Sequence, residues 1–151
     1  MTLRVGDVAS AFATRNQHGQ PVDLADLRGR PAVLVFYPWA FSGICTGELS
    51  GLRDAAEQFE DADVRIVAIS CDAMFSLRVY AETEALPFDL LTDHWPHGEI
   101  ARAYGVFDEQ AGCALRGSFV LDPAGRITWS VVNQIGEARD IAAHLAAVQA
   151  A

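Results

Sequence analysis

Cys45 lies just beyond the point where the apolar run from Ala32 to Tyr37 breaks at Pro38, at the end of Trp39-Ala40-Phe41-Ser42-Gly43-Ile44. With Thr46-Gly47-Glu48-Leu49 it opens a helical pattern. The spacing predicts a thiol at a helix N-terminus, where unpaired N–H groups and the positive dipole end favour thiolate over thiol. The thiolate is the nucleophilic form, so Cys45 is the first candidate for chemistry. Its surroundings carry more than packing requires. Gly43 permits close backbone approach or positive φ, Ser42 sets a hydroxyl three residues before the sulfur, and Pro38 ends the strand while removing an N–H from the loop. A buried cysteine acting as a small hydrophobe needs none of these. Glu48, three residues after Cys45, shares its helix face by spacing, although acids favour any first helical turn. Glu48 also fills the second position of a would-be Cys-x-x-Cys, which argues against a general disulfide reductase.

The elements that must hold this segment follow from periodicity. Phe12 to Arg15 and Pro21 to Leu24 flank Asn16-Gln17-His18-Gly19-Gln20 as an N-terminal hairpin. The continuous apolar run Ala32 to Tyr37 predicts a strand covered on both faces. Leu49, Leu52, Ala56 and Phe59 recur at helical spacing and predict one helix from Cys45 to about Asp61. A second buried strand over Val64 to Ser70 follows. Met74 to Glu84 reads as a helix, Phe88 to Thr92 as a brief strand, and Glu99 to Tyr104 as a short helix before a loop with Gly105 and Gly112. Leu115 to Leu121 and Ile127 to Val132 flank Asp122-Pro123-Ala124-Gly125 as an antiparallel hairpin, and Glu137 to Val148 as a closing Ala-rich helix. Strands alternating with helices and ending in a hairpin predict an α/β chain with a mixed central sheet sandwiched by helices.

A 151-residue chain that is 51% hydrophobic and 21% charged fits one compact domain spanning 1–151. At that length it should bury roughly 70% of its unfolded surface without disulfide staples. A net charge of −9 with no basic stripe argues against nucleic acid and anionic membranes. The start, Met1-Thr2-Leu3-Arg4-Val5-Gly6-Asp7, lacks signal-peptide blocks, and no stretch of about 18 apolar residues could span a bilayer. Three widely spaced cysteines are not a secreted disulfide framework, so a cytoplasmic protein with free thiols is expected. Asp93-His94-Trp95-Pro96-His97 brings two imidazoles and a carboxylate together, but Pro96 forces a bend and no further ligand cluster completes a tetrahedral set. A loop capping the helix at Gly98-Glu99 is the better reading, and no metal or cofactor is expected. His18 reads as turn surface and His144 as a face of the last helix.

Pro38-Trp39-Ala40-Phe41-Ser42-Gly43-Ile44-Cys45 resembles the peroxiredoxin signature, Pro, three residues, Thr or Ser, two residues, Cys. The similarity extends to Val5-Gly6-Asp7, Leu24-Ala25-Asp26-Leu27-Arg28-Gly29 and Arg116-Gly117-Ser118-Phe119-Val120-Leu121-Asp122. Ala40 to Cys45, Asp93 to Gly98 and Tyr104 to Gly112 are most similar to the AhpE-type one-cysteine group. The resemblance implies a thioredoxin-like fold and a thiol-dependent peroxidase acting on hydrogen peroxide and organic hydroperoxides, with peroxynitrite as a further substrate. It implies that Arg116 lies beside the Cys45 sulfur and that Glu48 holds the guanidinium. It also implies that Ser42 bonds peroxide and thiolate, that Pro38 shields the sulfur, and that the Gly43, Ile44 and Cys45 backbone binds the peroxide oxygens. Ser42 replaces the commoner Thr, keeping the hydroxyl and losing one methyl. Trp39, Phe41, Trp95, Tyr104 and Phe107 are candidates for a hydroperoxide pocket or a subunit interface, with core packing as the alternative, and relatives suggest a homodimer.

Peroxide attack would leave Cys45 as a sulfenic acid that a second thiol must reduce. Position 50, where some relatives carry a resolving cysteine, is Ser50, and no Cys-bearing tail precedes Ala151. Cys71 and Cys113 remain. The favoured cycle uses Cys45 alone, with an external reductant such as a glutaredoxin-like or thioredoxin-like protein or a low-molecular-weight thiol. Two alternatives stay open, a two-cysteine enzyme resolving through Cys71 or Cys113 and a non-catalytic thioredoxin-fold redox-sensing or holdase module.

Overall fold

The computed structural model describes residues 1–150; Ala151, the last residue of the expected domain, lies outside the described residues. Strands β1 (Ala13–Arg15) and β2 (Pro21–Asp23) form the expected N-terminal hairpin. Its turn closes because Asn16 Oδ1 accepts from the N–H groups of His18 and Gln20 while Gly19 takes a φ of +78°. A single 3-10 turn, Leu24–Leu27, leads to β3 (Ala32–Phe36), whose five residues are all buried. There follow α1 (Gly43–Asp54), α2 (Ala56–Asp61), β4 (Arg65–Ser70), α3 (Met74–Glu84), β5 (Asp89–Thr92) and α4 (Glu99–Ala103). The chain continues through β6 (Phe107–Asp108), β7 (Cys113–Ala114), β8 (Arg116–Leu121) and β9 (Ile127–Asn133) to α5 (Ile141–Gln149).

The central sheet has the order β5-β4-β3-β8-β9. Its β3–β4 and β4–β5 pairs are parallel, whereas β8 runs antiparallel to both β3 and β9. Side chains alternate along β3 and so split the core in two. Leu34 and Phe36 meet Val67, Ile69, Leu91 and Phe119 on one face, under Ile100 and Ala101 of α4. Val33, Val35 and Tyr37 meet Cys45, Leu49, Leu52, Leu77, Tyr80 and Val148 on the other, so α1, α3 and α5 cover the face that holds the thiol. This is a thioredoxin-like mixed sheet flanked by helices. Among the described residues no helix is long and apolar enough to cross a membrane.

Three boundaries differ by more than one residue from the reading of the sequence. The helix bearing Cys45 starts at Gly43 because Ser42 takes the extended N-cap conformation, φ −71° and ψ 149°, so Cys45 is the third helical residue rather than the first. The expected single helix to Asp61 is interrupted at Ala55, φ −96° and ψ 0°. The apolar period carries straight across that residue, so hydropathy alone does not register the break. The last helix begins at Ile141 rather than Glu137, because Asp140 caps it by accepting from the Ala142 N–H. Arg139 is thereby released to turn inward, while Glu137 and Ala138 stay exposed. The loop from Gly105 to Gly112 also leads into a short ladder, β6 with β7, so Cys113 sits in a strand and not in a loop.

Gly105 follows α4 with a φ of +73°, and a Cβ there would lie 2.3 Å from the Thr2 backbone. Gly105→Ala should therefore cost more than the roughly 1–2 kcal/mol of left-handed strain alone. The urea midpoint of unfolding should fall with the slope unchanged.

Candidate active site

Pro38 ends β3, and the loop after it is held by Asp72, whose Oδ2 accepts from the Ala40 N–H at 2.9 Å and from Ser70 Oγ at 2.7 Å. Phe41 then adopts a φ of +70°, a conformation that a bulky side chain rarely takes, with its ring 4.9 Å from that of Tyr80. The loop thus delivers Ser42 as the N-cap of α1. Ser42 makes no capping hydrogen bond, and its buried Oγ has no partner among the described residues. The first intrahelical bond runs from the Thr46 N–H to Ser42 O, leaving the N–H groups of Gly43, Ile44 and Cys45 as the free donors of the first turn.

Cys45 is fully buried beneath this turn. Arg116, at the start of β8 and 2% exposed, points Nη1 at the Cys45 sulfur at 3.2 Å and at Glu48 Oε1 at 2.6 Å, while its Nε donates to Ile135 O at 2.7 Å. Arg116, Cys45 and Glu48 are therefore brought together as the sequence implied. A further residue completes the array. Arg139, 5% exposed in the turn before α5, donates its backbone N–H and Nε to Glu48 Oε2 at 2.7 and 2.8 Å and its Nη2 to Oε1 at 2.9 Å. Its Nη1 reaches Phe36 O, Gly117 O and Ser118 Oγ. Sequence reading missed Arg139 because it placed the residue inside the closing Ala-rich helix; the Asp140-x-Ala142 cap was the one signal that could have moved the boundary.

Glu48 accepts three hydrogen bonds from two guanidiniums and a fourth from the Arg139 backbone N–H. Burial opposes its ionisation, but the hydrogen bonds and charge of Arg139, joined by Arg116, outweigh burial and hold its carboxyl below the ordinary range. The site is thus a buried anion held between two cations, with one cation also facing a sulfur. A sulfur nucleophile, a guanidinium beside it and unpaired N–H and O–H groups at the head of a helix can stabilise charge that moves from sulfur to an oxygen.

Other expectations fall elsewhere. Trp39, 42% exposed, and Phe41, 55% exposed, flank the thiol's loop, as does Ile44. Tyr104 is instead buried in the core under the opposite sheet face, its hydroxyl donating to Ser10 O at 2.7 Å. Phe107 packs against that same core with Arg102 over its ring, and Trp95 is 84% exposed in its loop. These three do not line the site. Asp93 accepts from the N–H groups of Ile100 and Ala101 and so caps α4, while His97 Nε2 donates to Gly112 O. Among the described residues no group of three or more His, Cys, Asp or Glu is placed to hold a metal ion. Cys71 and Cys113 are both free and buried. Burial foremost, with nearby acids, pushes their thiols up to about 12 and about 11, so both remain protonated at neutral pH. His144 is fully buried rather than on a helix surface.

Residues 5–130 match the AhpC/TSA family. The chain is 46% identical over 139 residues to proteins named alkyl hydroperoxide reductase E from Mycobacterium bovis and Mycobacterium tuberculosis, covering 91% of each sequence. It is 31% identical over 151 residues to a putative peroxiredoxin of the Clostridium pasteurianum rubredoxin operon, covering 93% of this chain and 85% of that one. Among solved structures, Enterococcus faecalis AhpC superposes with a TM-score of 0.91 at 26% identity, over 99% of this chain and 92% of that chain.

Replacing Glu48 with Gln leaves two buried guanidiniums sharing a neutral group. The expected cost at pH 7 is about 3 kcal/mol, read from urea unfolding. Because Glu48 titrates lower in the folded than in the unfolded chain, its stabilisation is complete at neutral pH and is lost as the pH falls below about 4. The stability gap between wild type and Glu48→Gln should therefore narrow on the acid side.

Proposed function

The chain belongs to the AhpC/TSA family of peroxiredoxins and is a thiol-dependent peroxidase, and from that premise we propose that Cys45 is the residue that attacks the peroxide. The observation that carries the assignment is Arg116 Nη1 at 3.2 Å from the Cys45 sulfur, under a helix turn whose N–H donors and Ser42 hydroxyl are unclaimed among the described residues. Sulfur attacks one peroxide oxygen in line, the O–O bond breaks, and the second oxygen leaves with the electron pair and takes a proton as water or alcohol. Cys45 becomes a sulfenic acid. Arg116 follows the negative charge from sulfur to oxygen, and Glu48 keeps the guanidinium in line. Ser42 Oγ and the Gly43, Ile44 and Cys45 N–H groups bind the peroxide oxygens, while buried Pro38 keeps water from the sulfur. Hydrogen peroxide, organic hydroperoxides and peroxynitrite all supply the O–O bond that this step needs.

A one-cysteine cycle is supported by the buried, protonated state of Cys71 and Cys113. An external thiol attacks the sulfenic sulfur and releases water, and a second thiol then attacks the mixed disulfide and returns Cys45 as thiolate. A glutaredoxin-like or thioredoxin-like protein, or a low-molecular-weight thiol, fills that role, and the need for it fits a reducing cytoplasm. A homodimer is favoured by the exposed apolar side chains around the site, Trp39, Phe41 and Ile44 from the loop and first turn with Phe75 and Val79 one turn apart on α3.

In peroxide-consumption assays with a thiol reductant, Cys45→Ser should abolish turnover; unchanged consumption would refute the assignment. Mass spectrometry after one equivalent of hydrogen peroxide should find sulfenic acid on Cys45, and a disulfide to Cys71 or Cys113 would establish the two-cysteine cycle instead. Sedimentation should find a dimer that Phe75→Glu shifts toward monomer.

A further inference from the structure

Behind Arg139 lies a polar chain that the peroxide reaction as described does not use. His144 on α5 and Ser118 on β8 are both fully buried, and His144 Nε2 lies 2.7 Å from Ser118 Oγ. The other ring nitrogen, Nδ1, lies 2.8 Å from Asp140 O. A carbonyl oxygen can only accept, so Nδ1 carries the proton and the neutral ring presents Nε2 as an acceptor. Ser118 therefore donates its O–H to His144 Nε2, which turns the Ser118 oxygen lone pairs toward Arg139 Nη1 at 3.1 Å. Every donor in the series runs the same way, from Arg139 to Ser118 to His144 to the Asp140 carbonyl. The Trp129 ring, 5.1 Å away and edge-on, fixes the imidazole plane. Burial first, together with the Arg139 charge, keeps the ring neutral, and Asp140 and Glu48 are the other charged groups that act on it.

We infer that His144 is a positioning residue for the peroxide reaction: by accepting a hydrogen bond from the Ser118 hydroxyl it orients the Ser118 oxygen toward Arg139 and so sets the Arg139–Glu48–Arg116 array against the Cys45 sulfur. The inference rests on the reading of Cys45 and Arg116 as the reacting pair. Its chemistry is orientation alone, and no proton leaves His144 during turnover. The helix that closes the chain thereby becomes part of the active-site support, through one side chain rather than through packing.

Two substitutions separate orientation from volume. His144→Phe keeps the ring and its edge-on contact with Trp129 but cannot accept a hydrogen bond; His144→Gln loses the ring but keeps a donor and an acceptor. Sulfenic acid formation at Cys45 with hydrogen peroxide should slow about threefold to tenfold in folded His144→Phe and stay within about twofold of wild type in His144→Gln. Iodoacetamide alkylation of Cys45, which has no developing oxyanion to stabilise, should change less than the peroxide rate in both. Ser118→Ala should slow the peroxide step similarly, and adding it to His144→Phe should slow it no further. A folded His144→Phe that reacts like wild type, a His144→Gln as slow as His144→Phe, or single effects that multiply in the double variant would each overturn the inference. Should His144→Phe fail to fold, Ser118→Ala alone decides, since a wild-type rate there breaks the series. Wild-type protein that forms no sulfenic acid at Cys45 would sink the reading of the site and this inference with it, whereas normal wild-type turnover with indifferent variants sinks the inference alone.

Discussion

The structure depends on one carboxylate. Glu48 is almost wholly buried and accepts four hydrogen bonds from two arginines that arrive from opposite directions, Arg116 from β8 and Arg139 from the turn before α5. Two guanidiniums could not be buried side by side without an anion between them, and the anion could not be buried without them. The carboxylate therefore ties the helix that carries the thiol to the antiparallel half of the sheet and to the C-terminal helix at a single point. One of its cations is left with an N–H directed at sulfur. A buried ion pair is a poor source of stability by itself, but it holds geometry well, and geometry is what an in-line displacement requires.

The same economy is visible in the loop between β3 and α1. Asp72 pins it through the Ala40 N–H, and Phe41 tolerates a left-handed backbone, so that Ser42 enters the helix with its hydroxyl uncommitted. An ordinary N-cap would spend that hydroxyl on the helix and gain about 1 kcal/mol. Here the cap is left undone and the donors of the first turn stay open above a buried sulfur. Local stability has been given up beside the thiol, and the surrounding apolar core, which buries Cys45, Leu49 and Tyr80 together, holds the strained segment in place.

Much of this was legible in the residues. The continuous apolar run of β3 announced a strand covered on both faces, because alternation disappears when both faces are buried. The Asp122-Pro123-Ala124-Gly125 turn announced the final hairpin, and Asp122 Oδ1 does accept from the N–H groups of Ala124 and Arg126. The break at Ala55 was not legible, since Leu49, Leu52 and Phe59 keep helical period on either side of it. Nor were the buried fates of Tyr104 and Phe107, as an aromatic side chain looks the same in a sequence whether it lines a pocket or fills the far side of the sheet.

Sequence alone singled out the nucleophile proposed here, because a cysteine set between a strand-ending proline and a helix start is a local arrangement, readable from neighbours a few residues apart. It also determined that the sheet is mixed and that helices cover it. The family resemblance pointed to Arg116 and Glu48, but only the tertiary structure decided that Arg139, Ser118 and His144 join them, since these residues meet across separations of roughly 20 to 90 positions that no periodicity spans. Arg139 and His144 read only as residues of the closing Ala-rich helix until folding buries them, and burial turns an ordinary arginine and histidine into fixed donors and acceptors with no water to replace them.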